Sequence, residues 1–320
     1  MRIGGDASAP WLTVIMPVYG GEEWIDTALG SLAAEPAEGI EILLIDGSPT
    51  SATRERAEKF SGRLRLRIFE RPDLSLWHGK TNFGVEVAES GHICLLCVDD
   101  VWLSGRVAAV RGWIEAAPEA ALHLAPSAII DSKGQRLGVW RCPLPSGRAL
   151  SRDIVAERLL VQNFVASPAP VFRKDAWLEC GGLDEQLWYT ADWDIWLKLA
   201  SLNTVYYHTE VTCGFRIHGG SLTMSGSRDI VDLTHQMRSV LERHLTRLSP
   251  VAAGVERAAR ASIVVNTALA SASSGDFSGL AGAANALMRL GPGGVRRFFR
   301  DSRIFERVAP RVRARLRGAL

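Results

Sequence analysis

The first part of the chain alternates between apolar runs and segments whose apolar residues recur at helical spacing. Apolar runs bounded by turn residues predict buried strands, and apolar positions repeated every three or four residues predict helices. The predicted strands cover residues 11–18, 40–45 and 64–69 and resume at 93, and the predicted helices cover 22–32, 53–60 and 81–89. Strands and helices in this order predict an α/β fold with a mainly parallel, right-handed sheet.

Polar side chains follow several of these predicted strands. The apolar run at residues 93–98 leads directly into Asp99 and Asp100, Tyr19 follows the first strand, and Asp46 follows the second. Because ligands of open α/β sheets bind outside the carboxyl ends of the strands, we expect these residues to line one nucleotide-sized crevice. Two carboxylates there suit a hard divalent cation shared with phosphate oxygens. A loop start or a helix cap would also explain them.

Other common nucleotide and metal motifs do not occur. The sequence contains neither G-x-G-x-x-G nor G-x-x-x-x-G-K-[ST], which counts against a hydride-transferring Rossmann enzyme and a P-loop NTPase. Cys94 and Cys97 form a C-x-x-C inside the apolar run, and without a second pair at zinc spacing we expect them to pack in the core. The five scattered cysteines, the absence of a signal-like start and the lack of 18 consecutive apolar residues predict a cytoplasmic protein.

The charge is distributed unevenly along the chain. The 320 residues are 47% hydrophobic and 22% charged, which fits a globular protein with one large region, 10–225, and a smaller helical one, 226–320. The net charge is only +2, yet residues 289–320 hold ten arginines against Asp301 and Glu306. Arginine interleaved with Phe, Ile and Val after a break at 291–294 predicts an amphipathic helix on an anionic membrane surface. Packing on the domain is the alternative, and nucleic acid is not expected because no recognition fold is visible.

A helix predicted over residues 190–201 carries two acids. On a helical wheel Asp192 shares an arc with the apolar residues, whereas Asp194 and Lys198 fall on the opposite arc and are expected to face water. An inward acid near a cleft suits a general base, although it could instead only satisfy N–H groups of the first helical turn. His218 is a candidate third metal or diphosphate ligand beside the two aspartates. Arg216 could offset the charge of a phosphate or hold the fold together.

Six segments together resemble the family 2 glycosyltransferases, which have the GT-A fold. They are residues 13–19 (TVIMPVY), 41–48 (EILLIDGS), 80–84 (KTNFG), 98–101 (VDDV), 191–199 (ADWDIWLKL) and 215–218 (FRIH). The resemblance extends over about residues 11–225. The chain departs from the usual family pattern at Cys97, where an acid is common, in the turn after Asp46, and in residues 77–80.

The resemblance implies a Rossmann-like, mostly parallel mixed sheet flanked by helices, here with a C-terminal helical extension. It also implies an inverting, Mg²⁺- or Mn²⁺-dependent transferase that uses a nucleoside diphosphate sugar, with UDP the expected nucleotide. Asp192 would be the base, and Asp99, Asp100 and His218 would serve the metal and diphosphate. The donor-binding positions that it implies are Pro17, Tyr19, Asp46, Asp73, Lys80, Asn82 and Asp99.

The expected acceptor is a glycan or a lipid-linked molecule of cell-surface polysaccharide or glycolipid synthesis, reached from the cytoplasm or from the inner face of the membrane. Two other functions stay open. A nucleotidyltransferase shares an acidic α/β site, but it normally has a basic, glycine-rich loop after the first strand, where this chain has Glu22 and Glu23. A non-catalytic sugar-binding or assembly protein is the second alternative.

Overall fold

The alternation of strands and helices in the sequence produces two sheets that meet at one edge. The computed structural model describes residues 9–202, 204–221, 229–246 and 253–318. Within these ranges the strands are β1 (Leu12–Val18), β2 (Ile40–Asp46), β3 (Arg65–Glu70), β4 (His92–Leu95), β5 (Val101–Trp102), β6 (Leu122–Leu124), β7 (Ser127–Ile130), β8 (Arg136–Trp140), β9 (Ala149–Leu150), β10 (Val171–Arg173), β11 (Val205–Tyr207) and β12 (Cys213–Arg216). The helices are α1 (Ile25–Ala33), α2 (Ala52–Glu58), α3 (Trp77–Val87), α4 (Arg106–Ala116), α5 (Arg152–Val161), α6 (Lys174–Glu179), α7 (Ala191–Leu202), α8 (Ile230–Leu245), α9 (Ala253–Ser273), α10 (Leu280–Met288), α11 (Gly291–Ser302) and α12 (Ile304–Leu316).

The larger sheet confirms the predicted parallel α/β core. Its strand order is β3-β2-β1-β4-β10-β6-β11-β9, and β3, β2, β1 and β4 run parallel. Strand β10 pairs antiparallel with β4 and β6, so the sheet is mixed. Strands β1 and β2 are buried along their whole length because helices cover both faces, and Val18 pairs with Asp46 at the shared carboxyl edge.

The predicted strand beginning at Ile93 is shorter than its apolar run. Strand β4 ends at Leu95, and the chain turns at Cys97–Asp100, where the amide of Asp100 donates to the carbonyl of Cys97 at 3.0 Å. Strand β5 then joins the smaller sheet, whose order is β5-β12-β7-β8. Asp99 and Asp100 therefore lie where the chain passes from one sheet to the other.

Other boundaries also differ from the sequence pattern. The apolar segment 121–130, which would suit a single strand, forms two strands, β6 and β7, which belong to different sheets. Pro126 stands between them and has no N–H for a ladder hydrogen bond. The break expected at 291–294 falls slightly earlier, at residues 289–290, because helix α10 ends at Met288 and helix α11 begins at Gly291. Proline is tolerated in the first helical turn, where its missing N–H would have no partner in the helix.

The C-terminal helices pack on the domain rather than standing apart from it. Helix α9 lies against α5 and α8, α11 against α5 and α9, and α12 against β8. The expected boundary between residues 225 and 226 falls outside the described residues. No helix in the described ranges has the combination of length and apolarity needed to cross a membrane.

Helix α8 reverses one prediction about α7. Asp194, expected to face water, is completely buried. Its carboxylate pairs with Lys198 at 2.8 Å, with His244 at 2.8 Å and with Arg243 at 3.1 Å. The i,i+4 pair with Lys198 therefore exists, but α8 covers it. Burial alone would raise the pKa of Asp194, yet the hydrogen bonds from His244 and Lys198 outweigh burial and hold the pKa well below its usual value.

We predict that Asp194→Asn lowers the free energy of unfolding at pH 7 by about 3 kcal/mol, because removing one member of a buried ion pair leaves the other charges uncompensated. Because the folded-state pKa is depressed, this contribution is complete above the unfolded-state pKa and disappears as the pH falls toward the folded-state value. Urea denaturation at pH 7 and at pH 3 measures the loss of unfolding free energy and its dependence on pH. Asp153→Asn, at an exposed first-turn acid of α5, is the control. A deficit as large at pH 3 as at pH 7 would contradict the ionic origin.

Candidate active site

Three predicted residues meet at the ends of β1 and β2. Pro17 is buried in β1, Tyr19 is 65% exposed just beyond it, and Asp46 is buried at the end of β2. The carboxylate of Asp46 accepts the amide N–H of Ser48 at 2.9 Å, and the hydroxyl of Ser48 accepts the amide N–H of Gly20 at 2.8 Å. The two strand-end loops are thus joined by hydrogen bonds, with the open Tyr19 ring above an anchored carboxylate.

Lys80 reaches the same place from helix α3. Its side chain is almost completely buried, and its Nζ lies 5.2 Å from the centre of the Tyr19 ring and donates to the carbonyl of Ser75 at 3.2 Å. Burial lowers the pKa of Lys80, and the charge of Asp46 opposes that change. A Cβ at residue 47 would lie 2.5 Å from Cε of Lys80, so the glycine there allows the lysine to pass.

Asp73 and Asn82 are not brought into this group. Asp73 is exposed and accepts two hydrogen bonds from Arg71, at 2.9 and 2.7 Å, which lower its pKa. The amide of Asn82 exchanges hydrogen bonds with the backbone of Leu183, at 3.0 and 2.9 Å. Both residues are engaged locally, and their roles in donor binding stay predictions.

The second group forms at the junction of the sheets. Nε2 of His218 lies 3.0 Å from Oδ2 of Asp99, and the half-buried Asp99 is followed by the buried Asp100. Arg216 donates its backbone N–H to Asp100 at 2.9 Å and its Nε–H to the carbonyl of Asp99 at 2.6 Å. The ring of Trp24 lies 4.5 Å from the Arg216 guanidinium and 5.3 Å from the imidazole of His218.

The donor atoms at this junction fit a divalent cation. One ligand atom from each of Cys97, Asp99 and Asp100 lies within 4.8 Å of the other two. Burial raises the pKa of Asp100 well above its usual value, and the adjacent charge of Asp99 adds to the increase, so a cation between them would relieve real repulsion. Carboxylate oxygens suit a hard ion such as Mg²⁺ or Mn²⁺. Burial of the Cys97 sulfur raises its pKa well above its usual value and keeps the thiol protonated, which makes it a poor ligand for such an ion.

Asp192, at the start of α7, lies near the same junction. The carboxylate accepts the side-chain N–H of Asn163 at 2.9 Å and the backbone N–H of Trp193 at 2.7 Å. Burial raises its pKa to about 6, against the lowering effect of these two hydrogen bonds. The charges of Asp100, Asp99 and Asp192 all act on the thiol of Cys97, so the three carboxylates lie near this one side chain.

Two residues of this site were not identified from the sequence. Trp24 counted only as an apolar position of the first helix, and Asn163 only as the start of an irregular strand. An asparagine that begins a segment interrupted by Pro168 and Pro170 is a weak sign of a side chain that bonds across loops. The guanidinium of Arg216 also donates to the carbonyls of Asp131 and Ser132 at 2.8 and 3.2 Å and so holds the fold, while its role toward phosphate stays a prediction.

Part of the chain is similar to a known protein family. Residues 13–165, just under half of the chain, match the family model described as glycosyl transferase family 2. An uncharacterized glycosyltransferase of Rickettsia prowazekii is 22% identical over 222 residues, which cover 67% of this chain and 66% of the relative. One of Haemophilus influenzae is 21% identical over 227 residues, which cover 66% and 67%. The match thus spans about two thirds of these relatives.

Solved structures share the fold of this region and of the helices that follow it. S. aureus TarS 1-349 in complex with UDP-GlcNAc superposes with a TM-score of 0.64 at 17% identity, covering 94% of this chain and 88% of that one. The mannosyltransferase PcManGT from Pyrobaculum calidifontis, in complex with GDP-Man and Mn²⁺, gives 0.54 at 15% identity, covering 95% and 86%. The predicted GT-A fold, with its mostly parallel mixed sheet and C-terminal helices, is confirmed.

We predict that Mn²⁺ raises the melting temperature of the protein and that Asp99→Ala abolishes this increase, because one of the two adjacent carboxylates is lost. Differential scanning fluorimetry with and without Mn²⁺ measures the effect. Asp73→Ala is the matched control, since Asp73 is exposed and pairs with Arg71 instead. An Asp99→Ala variant that keeps the full Mn²⁺-dependent increase would place the ion elsewhere.

Proposed function

We propose that the chain is an inverting glycosyltransferase that moves a sugar from a nucleoside diphosphate sugar, with UDP as the nucleotide, to an acceptor hydroxyl. The observation that carries the proposal is the placement of Asp192. Burial raises the pKa of this carboxylate to about 6, and its charge acts on the Cys97 thiol together with the charges of Asp99 and Asp100, so a candidate base lies near a pair of candidate metal ligands. A leaving diphosphate and an entering hydroxyl need such groups in one site, a cation for the first and a base for the second.

The donor-binding roles follow from the strand-end loops. The exposed Tyr19 ring offers a face on which a nucleobase can stack, and the anchored carboxylate of Asp46 can accept a hydrogen bond from the base. Lys80, buried beside both, supplies a positive charge toward the donor. UDP is favoured as the nucleotide by a fold neighbour solved with UDP-GlcNAc, whereas another was solved with GDP-Man.

Asp99, Asp100 and His218 would hold the divalent cation. When bound, the cation offsets the negative charge of the departing nucleoside diphosphate. Arg216 holds the Asp100 carboxylate through its backbone N–H and the Asp99 backbone carbonyl through its Nε–H. Its part here is to position these two residues.

The chemical step is a single displacement. Asp192 takes the proton from the acceptor hydroxyl, the hydroxyl oxygen forms a bond to the anomeric carbon, and the bond from that carbon to the diphosphate oxygen breaks. Attack from the face opposite the leaving group inverts the configuration. Asn163 holds the carboxylate of Asp192 in its orientation and donates to its ionised form.

The remaining features of the proposal concern the surroundings of the site. The catalytic region would cover residues 10–225, and 226–320 would complete its acceptor side. The acceptor would be a glycan or a lipid-linked molecule of cell-surface polysaccharide or glycolipid synthesis, used in the cytoplasm or at the inner face of the membrane. Binding of the basic tail to an anionic membrane stays a prediction. The family match favours sugar transfer over nucleotidyl transfer.

We predict that Asp192→Asn lowers sugar transfer by about 10²- to 10⁴-fold, because the base that accepts the hydroxyl proton is removed. Binding of the UDP-sugar with Mn²⁺ should persist, since the proposed donor and metal contacts do not include Asp192. Product formation with a panel of UDP-sugars, together with calorimetric donor titration, separates the two effects. Asp153→Asn serves as the control for an aspartate lost elsewhere. Transfer at the wild-type rate by Asp192→Asn would refute the proposal.

We predict that transfer falls as the pH drops below about 6, because the pKa of Asp192 is raised to about 6 and its protonated form cannot act as a base. Asn163→Ala should move this acidic limb to higher pH, because the lost hydrogen bond favoured the ionised carboxylate. Rate–pH profiles of both proteins, with melting temperatures to verify folding, measure the shift. A limb that moves to lower pH in Asn163→Ala would contradict the assignment.

A further inference from the structure

Arg307 and Arg311, one turn apart on helix α12, differ from the other half-buried arginines of the tail. Arg297 pairs with Glu157 at 3.2 Å, and Arg303 pairs with Glu306 at 3.4 Å. Neither Arg307 nor Arg311 has a carboxylate partner within the ranges that the structure describes. Two adjacent guanidinium groups, partly withdrawn from water and without a counter-charge, are costly to maintain for packing alone.

Hydrogen bonds connect this pair to the proposed base. Arg307 donates to Oδ1 of Asn266 at 3.0 Å, and Nδ2 of Asn266 donates to Oε1 of Gln162 at 2.7 Å. Gln162 in turn donates to the backbone carbonyl of Asn163 at 3.2 Å, and Asn163 donates to Asp192 at 2.9 Å. The route passes through α9 and the end of α5, so helix α12 is tied to the acceptor side of the site.

Aromatic residues also place the arginine pair beside the site. The guanidinium of Arg307 lies 5.9 Å from the ring of Trp140, which packs edge-on against Phe215 at 5.8 Å, next to Arg216. Tyr189 precedes helix α7. Burial raises the pKa of its hydroxyl; the charges of Arg307 and Arg311 act against that increase, and the charge of Asp192 adds to it. The tyrosine is therefore near both the arginine pair and the base.

The guanidinium groups have donors to spare. Nε of Arg307 is buried without a hydrogen-bond partner. Arg311 donates from Nη1 to the carbonyl of Arg307 at 2.7 Å, and the described residues offer its guanidinium no other partner. Burial and the neighbouring Arg311 lower the pKa of Arg307 to about 10, so both side chains remain cationic at neutral pH. The unused N–H donors of two planar guanidinium cations suit an oxyanion, whose oxygen atoms can accept two parallel hydrogen bonds from one guanidinium.

We propose that Arg307 and Arg311 bind an oxyanion of the acceptor, either a phosphate ester or a carboxylate, so that the sugar acceptor is an anionic molecule. The inference rests on the proposed transferase function and adds the chemical class of its acceptor. The anion would sit on the tail helix while the reacting hydroxyl, on the same molecule, lies at Asp192. An interaction with a membrane surface would instead use the exposed face of the tail, where Phe305 and Leu316 lie.

The test uses the full chain saturated with UDP and Mn²⁺, so that added anions cannot enter the donor site. Calorimetric titrations compare methyl glucuronide and glucose 6-phosphate with neutral methyl glucoside. We expect measurable affinity for at least one anion, with the two probes distinguishing carboxylate from phosphate. Arg311→Gln and Arg307→Gln should each weaken it about tenfold, the size expected for a lost charge-assisted hydrogen bond. Arg311→Lys should retain part of the anion affinity that Arg311→Gln loses.

Arg315→Gln is the matched control, because Arg315 is exposed on the same helix and donates to the carbonyl of Ser273 instead. It should leave anion affinity unchanged. Equal anion affinity in wild type and Arg311→Gln, or an equal loss in Arg315→Gln, would overturn the inference while donor binding still supports the transferase. A change in melting temperature without a change in anion affinity would show that the pair only packs. Failure of UDP to bind in the first place would refute the proposed function and this inference together.

Discussion

The buried guanidinium of Arg216 is the contact on which the site depends. It lies where the large sheet passes into the small one, and it bonds to the carbonyls of Asp99, Asp131 and Ser132 while its backbone N–H bonds to Asp100. Burial lowers the pKa of Arg216, and the nearby charges of Asp100 and Asp99 counter that effect. An arginine can satisfy several carbonyls at once because its five N–H donors form a rigid fork. Arg216 therefore connects the turn at Asp99 and Asp100 with the loop at Asp131 and Ser132.

Helix α7 shows how surroundings decide what an acid does. Asp192 and Asp194 are two positions apart on the same helix, and both are withdrawn from water. Asp192 is surrounded by neutral N–H donors, and burial raises its pKa to about 6. Asp194 contacts Lys198, Arg243 and His244, and its pKa is depressed. One acid is thereby suited to exchange a proton at neutral pH, and the other fastens α8 to the domain.

The C-terminal helices belong to the same physical unit as the α/β core. Ala314 of α12 packs in one apolar cluster with Ile217 and Trp140, and the carbonyl of Leu137 accepts a hydrogen bond from Arg313 at 2.7 Å. The basic composition of the tail suggested an unattached amphipathic surface. Pro310 and Ala314 of α12 are instead buried against the domain, and Phe305, Val312 and Leu316 stay exposed.

Local sequence pattern alone determined the parallel core and the residues at its carboxyl edge. Strand periodicity and the βαβ order are properties of neighbouring residues, so Tyr19, Asp46, Asp99 and Asp100 could be placed without knowing what packs on them. The tertiary structure decided everything that depends on distant segments. A helical wheel identifies the two faces of α7, but it cannot show that α8 covers the face that carries Asp194 and Lys198. Contacts between residues far apart in the chain also determine the ends of β4 and β6, the hydrogen bond of Asn163 to Asp192, and the attachment of Arg307 and Arg311 beside the site. The local periodicity of the sequence does not encode such contacts.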